Sequence, residues 1–335
     1  KQPRRVTILD IAREMGVAPS TVSNALSGKR YVDPALVERV KTTAERLGYR
    51  PNPVARRLRS GRASAIGLFS AMPFAVAGGA SRLGFMMEIA ATAAEETMRS
   101  GLSLTLVPPM EASPPVEDLL IDGALLIEPA RDDPFAELLD ARGLPVVRIG
   151  RQPGRESAPH VDLRSAETAA KLLAHLEARG ARRIALMTGQ GRRASHEETE
   201  AEYARFCALR GMEPLAFRLT ETNGVQGGHD ATLKLLAERP DVDAILAPVD
   251  VFAAGACQAA KEIGRRVPED LLIAPRYDGP RSLASDPPLT AVNLSLPVVA
   301  QEAVRMLTAM IEGHETPRVV PSPEARLVIR ASTGG

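Results

Sequence analysis

The first fifty residues place apolar side chains at helical spacing, three or four positions apart. Thr7 suits the N-cap of a first helix, Asp10 forms a capping pair with it, and Gly16 is placed to end the helix. The apolar stripe consists of Ile8, Ile11, Ala12 and Met15. This pattern predicts an amphipathic helix with one face buried.

Two more helices are predicted in the same segment. Pro19 suits the first position of a second helix that runs to Ser27, with Val22 and Leu26 facing inward. A third helix starts at Asp33-Pro34 and ends at Gly48. Its inward residues are Leu36, Val37, Val40, Ala44 and Leu47. Two helices joined by a tight glycine turn, the second short and rich in hydroxyls, are typical of a helix-turn-helix.

Beyond residue 62 the pattern changes to short apolar runs separated by helical stretches. The runs, which we predict to be strands, are residues 66–69, 102–107, 124–127, 146–149, 184–187, 244–247, 271–274 and 325–329. The helical stretches include residues 82–99, 165–179, 197–210 and 251–263. This alternation predicts parallel sheets covered on both faces, and about 270 residues are enough for two lobes.

Charge is divided unevenly along the chain. Residues 1–62 hold fourteen Lys and Arg against five Asp and Glu, a balance of +9, and since the whole chain is +1 the remainder carries about −8. A basic head on an acidic body indicates contact with phosphates and argues against an inert three-helix bundle. We therefore expect the head to bind DNA.

A short basic segment, residues 52–61, follows the head. Asn52 suits a cap and Gly61 a stop for about two helical turns, which are marginal alone because isolated helices need roughly 12–15 residues. We expect this hinge helix to fold when two copies meet over DNA. Leu58 is the large apolar residue available as a wedge between base steps. The arginines that suit a narrow minor groove are Arg56, Arg57, Arg59 and Arg62.

Several separated segments resemble the lactose-repressor/purine-repressor family of bacterial transcription regulators. The matching segments in and after the head are Thr7-Ile8-Leu9-Asp10-Ile11-Ala12, Thr21-Val22-Ser23, Tyr49-Arg50-Pro51-Asn52 and Val54-Ala55-Arg56. Those in the body are residues 65–68, 180–185, 267–270 and 286–290. The resemblance implies an all-α helix-turn-helix head and an α/β, two-lobed core like that of periplasmic binding proteins, with doubly wound parallel sheets.

The resemblance also implies domain boundaries and partners. The head is expected at residues 1–50, the hinge at 51–62 and the effector-binding, dimerising core at 63–335. Within the core, the N-lobe is expected near 63–159 and 291–318, and the C-lobe near 160–290 and 319–335. The implied partners are an operator in double-stranded DNA, a second copy of the chain and a small effector. No cofactor and no metal are expected.

Individual DNA contacts follow from the resemblance. Positions that hold the sugar-phosphate backbone in the family are occupied by Thr7, Thr21, Ser23, Tyr31 and Asn52. Base contacts are expected from Ser20 and Asn24, while Pro19 stands where relatives often carry a larger or more polar residue, and Asn24 replaces an Arg. Asn pairs well with adenine N6 and N7, so we expect adenine where relatives have guanine. The alternative is that Asn24 contacts phosphate.

The effector site departs from the family. Its candidate residues are Phe74, Glu128, Arg193, Ser195, Thr199, Asn223, Asp250, Arg276 and Tyr277. Thr199 and Tyr277 stand where relatives carry an Arg and an Asp that hold sugar hydroxyls or a purine. With Arg192, Arg193 and Arg276 nearby as partners for a carboxylate or phosphate, we expect an anionic or partly apolar effector rather than a neutral sugar. The alternative is a cleft that has lost its ligand.

Catalysis and secretion are not expected. The five histidines form no ligand pair at helical spacing, and Gly189-Gln190-Gly191 lacks the third glycine of a dinucleotide fingerprint. We expect no signal peptide, although the chain starts at Lys1 without Met, which indicates that the true start is missing or processed. No segment approaches the roughly 20 apolar residues of a membrane span. Cys207 and Cys257 fall in predicted helices and suit small core positions. We expect a cytoplasmic protein.

These expectations combine into one mechanism. Ligand binding moves the lobes, the movement sets the separation of two hinge segments in a dimer, and hinge folding docks the heads on a pseudo-palindromic operator, usually to repress transcription. Two alternatives share the same head: an architectural DNA-bending protein that ignores ligands, and a regulator controlled by a protein partner.

Overall fold

The computed structural model describes residues 6–28, 30–49, 62–73, 84–107 and 116–335. The chain divides into two compact units, Lys1–Ala63 and Ser64–Gly335. The predicted hinge helix, with Asn52, Arg56, Arg57, Leu58 and Arg59, lies outside the described residues, and so does Phe74. In the part of the chain that is described, no helix is long and apolar enough to cross a bilayer.

The first unit contains the three predicted helices, α1 (Ile8–Met15), α2 (Pro19–Ser27) and α3 (Pro34–Arg46). Gly16 ends α1 in the left-handed conformation, with φ of 67°. The fully buried centre of this unit consists of Ile11, Val22 and Val40. Leu26, which we predicted to face inward, is partly buried and packs against this core, and Ala25 is buried beside Val22.

The second unit begins with a six-stranded sheet in the order β2-β1-β3-β4-β5-β11, in which every neighbouring pair is parallel. The strands are β1 (Ala65–Phe69), β2 (Ser103–Val107), β3 (Gly123–Ile127), β4 (Val146–Ile149), β5 (His160–Asp162) and β11 (Val319–Pro321). The helices of this lobe are α4 (Phe85–Arg99), α5 (Pro134–Ala141) and α11 (Leu296–Glu312). Strands β1, β3 and β4 are buried along their whole length, as expected of a sheet covered on both faces.

A second parallel sheet, in the order β7-β6-β8-β9, forms the other lobe. Its strands are β6 (Ile184–Gly189), β7 (Ala216–Leu219), β8 (Ala244–Leu246) and β9 (Leu272–Ala274). Its helices are α6 (Ser165–Ala178), α7 (Ala194–Leu209), α8 (Gly224–Glu238), α9 (Asp250–Glu262) and α10 (Pro280–Ala284). Helix α7 begins three residues before the predicted stretch at 197–210.

Between the lobes, β10 (Ala291–Asn293) pairs antiparallel with β12 (Arg326–Val328). Strands β5 and β11 both belong to the first sheet. This sheet therefore extends to Asp162 and, on the return of the chain, to Pro321, within a few residues of the approximate lobe bounds that the resemblance implies.

Both sheets reverse their strand order at one point, between β1 and β3 in the first lobe and between β6 and β8 in the second. Ligands of doubly wound proteins bind outside the carboxyl ends of strands at such switch points. Met72 and Glu128 follow the first pair of strands, while Arg193 and Asp250 follow the second pair. The topology thus brings these four residues to the cleft between the lobes.

Candidate functional site

The outer surface of the head carries the residues predicted to contact DNA. Pro19 and Ser20 at the start of α2 are exposed, and Thr21, Ser23 and Asn24 are partly exposed above the buried Val22 and Ala25. Helix α2 therefore presents a polar, hydroxyl-rich face while its opposite face holds the core. This is the arrangement that a recognition helix needs to enter a major groove.

Two further predicted contacts flank that helix. Thr7 is exposed at the start of α1, where both its amide and its hydroxyl donate to Asp10 Oδ2, at 2.9 and 2.7 Å. Tyr31, between α2 and α3, is 91% exposed. A tyrosine that exposed does not stabilise the core, so its ring and hydroxyl remain available for a partner.

Between the lobes lies a cavity of about 60 Å³, enough for a few water molecules. It is lined by Met72, Phe85, Glu128, Arg193, Ser195, His196, Glu221, Pro248, Val249, Asp250, Arg276 and Tyr277. Six of the nine predicted effector residues lie here: Glu128, Arg193, Ser195, Asp250, Arg276 and Tyr277. The cavity is thus lined by both charged and apolar side chains.

Glu128 joins the two lobes inside this cavity. It follows β3 with a left-handed φ of 46°, which is uncommon for a residue with a side chain. Its carboxylate accepts a hydrogen bond from the Ser195 hydroxyl and lies 3.4 Å from Nη1 of Arg276. Both partners belong to the other lobe, so one buried carboxylate contacts the start of α7 and the end of β9.

Arg193 and Glu221 form a second buried ion pair at the edge of the cavity. His196 lies beside them, with Nδ1 at 2.8 Å from the Gly191 carbonyl, so Nδ1 carries the proton in this contact. Burial lowers the pKa of His196. Glu221 and His196 were absent from our predicted site. Glu221 lies in a 3-10 turn between β7 and α8, and its side chain lies against Gly189, a contact that the sequence does not indicate.

The remaining wall of the cavity combines an aromatic pair with a third ion pair. The Tyr277 hydroxyl donates to Glu88, and its ring meets Phe85 edge-on with centroids 5.5 Å apart. Asp250 accepts a hydrogen bond from Arg281 Nη1 at 2.7 Å. Burial raises the pKa of Asp250. Tyr277 therefore faces the cavity as a ring whose hydroxyl is bound to the first lobe.

Some predicted effector residues lie elsewhere. Thr199 is buried within α7, where its hydroxyl donates to the Ser195 carbonyl at 2.7 Å, and it does not line the cavity. Asn223 is exposed. Arg192, proposed as a partner for an anion, is also exposed, whereas the neighbouring Arg193 points inward and is already paired with Glu221.

Outside the cavity, the start of α7 rests on the first lobe. The Arg131 amide donates to the Arg192 carbonyl at 2.9 Å, which forms a backbone bridge between the lobes. Arg131 lies 3.5 Å from Glu197, and Arg151 lies 2.8 Å from Glu198. These contacts hold the two lobes together at one edge of the cleft.

Comparison with known proteins agrees with this architecture. A sequence model for bacterial regulatory proteins of the lacI family matches residues 7–52, and one for a periplasmic binding protein-like domain matches residues 173–333. The chain is 30% identical over 346 residues to the HTH-type transcriptional regulator CelR of Thermobifida fusca, covering 98% of both chains. It is 28% identical to the regulator MalR of Streptomyces coelicolor, covering 97% of this chain and 96% of that one.

Solved structures show the same fold. The complex of the transcriptional regulator CelR with cellobiose matches with a TM-score of 0.70 and 27% identity, covering 98% of this chain and all of that one. The Lac repressor dimer bound to operator and the anti-inducer ONPF matches with a TM-score of 0.79 and 23% identity, covering 98% and 99%. From its head, its two-lobed core and these likenesses, the chain belongs to the lacI family of bacterial regulatory proteins and is a DNA-binding regulator of transcription.

Proposed function

We propose that this regulator is a repressor that binds a pseudo-palindromic operator as a homodimer and is controlled by a small molecule in the cleft between its lobes. The observation that carries the proposal is the head, where an exposed polar face of α2 lies over the apolar core around Val22. One such head makes few base contacts, so two heads related by a two-fold axis are needed for a specific site.

Base contacts in this proposal come from the first turns of α2. Ser20 and Asn24 lie one turn apart on that helix, and Pro19 before them donates no hydrogen bond. Asn24 contacts adenine through N6 and N7, which makes the half-site differ from one that is recognised by Arg. Thr7, Thr21, Ser23 and Tyr31 contact the sugar-phosphate backbone and fix the position of the head.

Control by a ligand is supported by the contacts across the cleft. Glu128, Ser195 and Arg276 bring buried polar groups from both lobes to one point, and a ligand there changes the balance between a closed and an open cleft. The relative CelR was solved as a cellobiose complex, and the Lac repressor as a dimer on its operator. The effector acts by binding alone, without catalysis.

The proposed coupling runs through the hinge. Movement of the lobes sets the distance between two copies of residues 52–61, which fold and insert Leu58 into the minor groove only when they are close. Because coupling free energies are typically 1–3 kcal/mol, an effector changes operator affinity by about 5–150-fold.

Selection of bound DNA from a random pool at physiological salt tests the proposal. We expect a two-fold palindrome with a deformable central step and adenine opposite Asn24. Recovery of A·T-rich or unpatterned DNA instead indicates an architectural DNA-bending protein. The matched control is the Asn24→Ala variant, which should yield the same palindrome with relaxed preference at one position of each half-site.

A further inference from the structure

We infer that the effector is a small carboxylate whose two oxygens bind one edge of the Arg276 guanidinium. The inference rests on the proposed function, since it names the chemistry of the molecule that the cleft binds. It begins with Arg276, which lines the cavity and is only 7% exposed.

Arg276 is incompletely paired. Its Nη1 lies 3.4 Å from Glu128, whereas Nε and Nη2 are fully buried and have no hydrogen-bond partner among the described residues. Burying charged donors without acceptors is costly. Nε and Nη2 lie on the same edge of the guanidinium, and two parallel N–H groups in one plane match the two oxygens of a carboxylate.

The other buried charges in this cavity already have partners. Arg193 pairs with Glu221, and Asp250 pairs with Arg281. Glu128 accepts from Ser195 as well as contacting Arg276. Ligand oxygens therefore bind most favourably at Arg276, because they accept hydrogen bonds from its unpaired N–H groups without breaking an existing ion pair.

The side chains around Arg276 limit both the charge of the ligand's anionic group and the size and polarity of the rest of the ligand. Three carboxylates line the same cavity (Glu128, Glu221 and Asp250), so a singly charged carboxylate is favoured over a doubly charged phosphate. The apolar part of the lining consists of Met72, Phe85, Pro248, Val249 and Tyr277. The cavity of about 60 Å³ is far below the 300–1,000 Å³ of ordinary ligand pockets. The ligand is therefore a small acid with an aliphatic or aromatic body, and it enters as the lobes separate.

Calorimetric titration of the full chain tests this assignment. The ligands titrated are butyrate, isovalerate, benzoate and 4-hydroxybenzoate, and the primary amide of each acid is titrated for comparison. At least one acid is expected to bind at least about tenfold more tightly than its amide. Arg276→Lys keeps the charge but loses the planar edge, and it should weaken that acid by at least about tenfold, as should Arg276→Gln. Arg305→Gln, on the exposed face of α11, is the control and should bind as the original chain does.

Three results would overturn the inference: no acid binds at millimolar concentration, an acid and its amide bind equally, or Arg276→Lys retains the affinity. Circular dichroism of each variant separates loss of binding from loss of fold. Affinity for the selected operator DNA is measured as well, because its outcome separates a failure of this inference from a failure of the proposed function. If cellobiose or glucose changes operator affinity while no acid binds, the carboxylate assignment fails and ligand control stands. If the chain selects no palindrome, the proposed function itself fails.

Discussion

At the scale of single residues, we expect His196 to make the stability of the folded chain depend on pH. Burial lowers its pKa below the ordinary 6.5, although Glu221 acts in the opposite direction. Because the folded-state pKa lies below the unfolded value, protonation favours the unfolded chain, and stability is lost as the pH falls below about 6.5. We expect His196→Gln to reduce the fall in melting temperature between about pH 7 and pH 5, as measured by differential scanning fluorimetry.

The matched control is His314, an exposed histidine near the end of α11, whose replacement by Gln should leave the fall unchanged. Some pH dependence should remain in the His196 variant, because burial also lowers the pKa of His175. If the melting temperatures of His196→Gln and of the original chain fall equally between about pH 7 and pH 5, His196 does not contribute to the pH dependence of stability.

Asn24 is the residue on which the choice of DNA sequence depends in our proposal. Asn24→Arg should move the preferred base from adenine to guanine, because Arg forms a bidentate pair with guanine O6 and N7. Competition binding compares the selected operator with a derivative that carries guanine in place of the adenine. The variant should prefer the guanine operator, by about 1–3 kcal/mol for each half-site. Thr21→Ala is the control, since loss of a phosphate contact weakens both DNA sequences equally. Equal binding of both sequences by Asn24→Arg would contradict base recognition at this position.

At the scale of elements, helices α8 and α9 approach closely enough that their backbones nearly touch at two glycines. A Cβ atom on Gly255 would lie 2.2 Å from the Val225 carbonyl oxygen, and one on Gly228 would lie 2.4 Å from that of Phe252. Since backbone atoms in packed helices cannot move aside, Gly255→Ala should destabilise the fold by about 1–3 kcal/mol or more, as measured by urea unfolding. An unchanged midpoint would mean that the two helices can separate freely.

Gly227 provides a comparison on the same helix. A Cβ there would lie 2.9 Å from Cβ of the exposed Asn223, and the nearest backbone oxygen outside the helix, that of Thr220, would lie 3.7 Å away. Asn223 must shift to admit this Cβ, but alanine favours a helix over glycine by up to about 1 kcal/mol, which offsets part of the crowding. Gly227→Ala should therefore destabilise the fold less than Gly255→Ala, which places its Cβ against the backbone of the neighbouring helix.

The sequence predicted elements well where the pattern was long and less well where it was short. The three helices of the head and the strands with four or more apolar residues lie within a few positions of the predicted ranges. Strands β5 and β11, which contain His160 and Asp162 and the exposed Val319, do not form apolar runs and were not predicted. Helix α7 begins at Ala194, three residues before the predicted stretch. Its first residues, 194–196, are buried, and Ser195 and His196 line the cavity, but two polar residues there do not extend the apolar pattern.

At the scale of the whole molecule, the cleft depends on contacts that sequence spacing does not reveal. Glu128 and Arg276 are separated by 148 positions, and Arg151 and Glu198 by 47. The strand order shows which strand ends meet at the cleft, but the sequence alone did not indicate which arginine is already paired. For the same reason Arg192 was a plausible anion partner in the sequence and is an exposed residue in the structure.

The contacts at the edge of the cleft predict how readily the lobes separate. Arg151–Glu198 and Arg131–Glu197 cross between the lobes and are partly exposed, so together they contribute about 1 kcal/mol to closure. Replacing Arg151 and Arg131 by Ala should increase the ratio of open to closed molecules by about fivefold.

Spin labels at Glu95 in the first lobe and Lys234 in the second measure this change, because both side chains are exposed and each lies on a helix of its own lobe. In the double variant the distance distribution should become longer and broader. The control removes Arg205, whose partner Glu202 lies on the same helix, and should leave the distribution unchanged. If the double variant also keeps the original distribution, the buried contacts of Glu128 suffice to close the cleft. Arg276 would then have to lose its contact with Glu128 before the lobes separate, which would make the effector-binding residue itself the last barrier to opening.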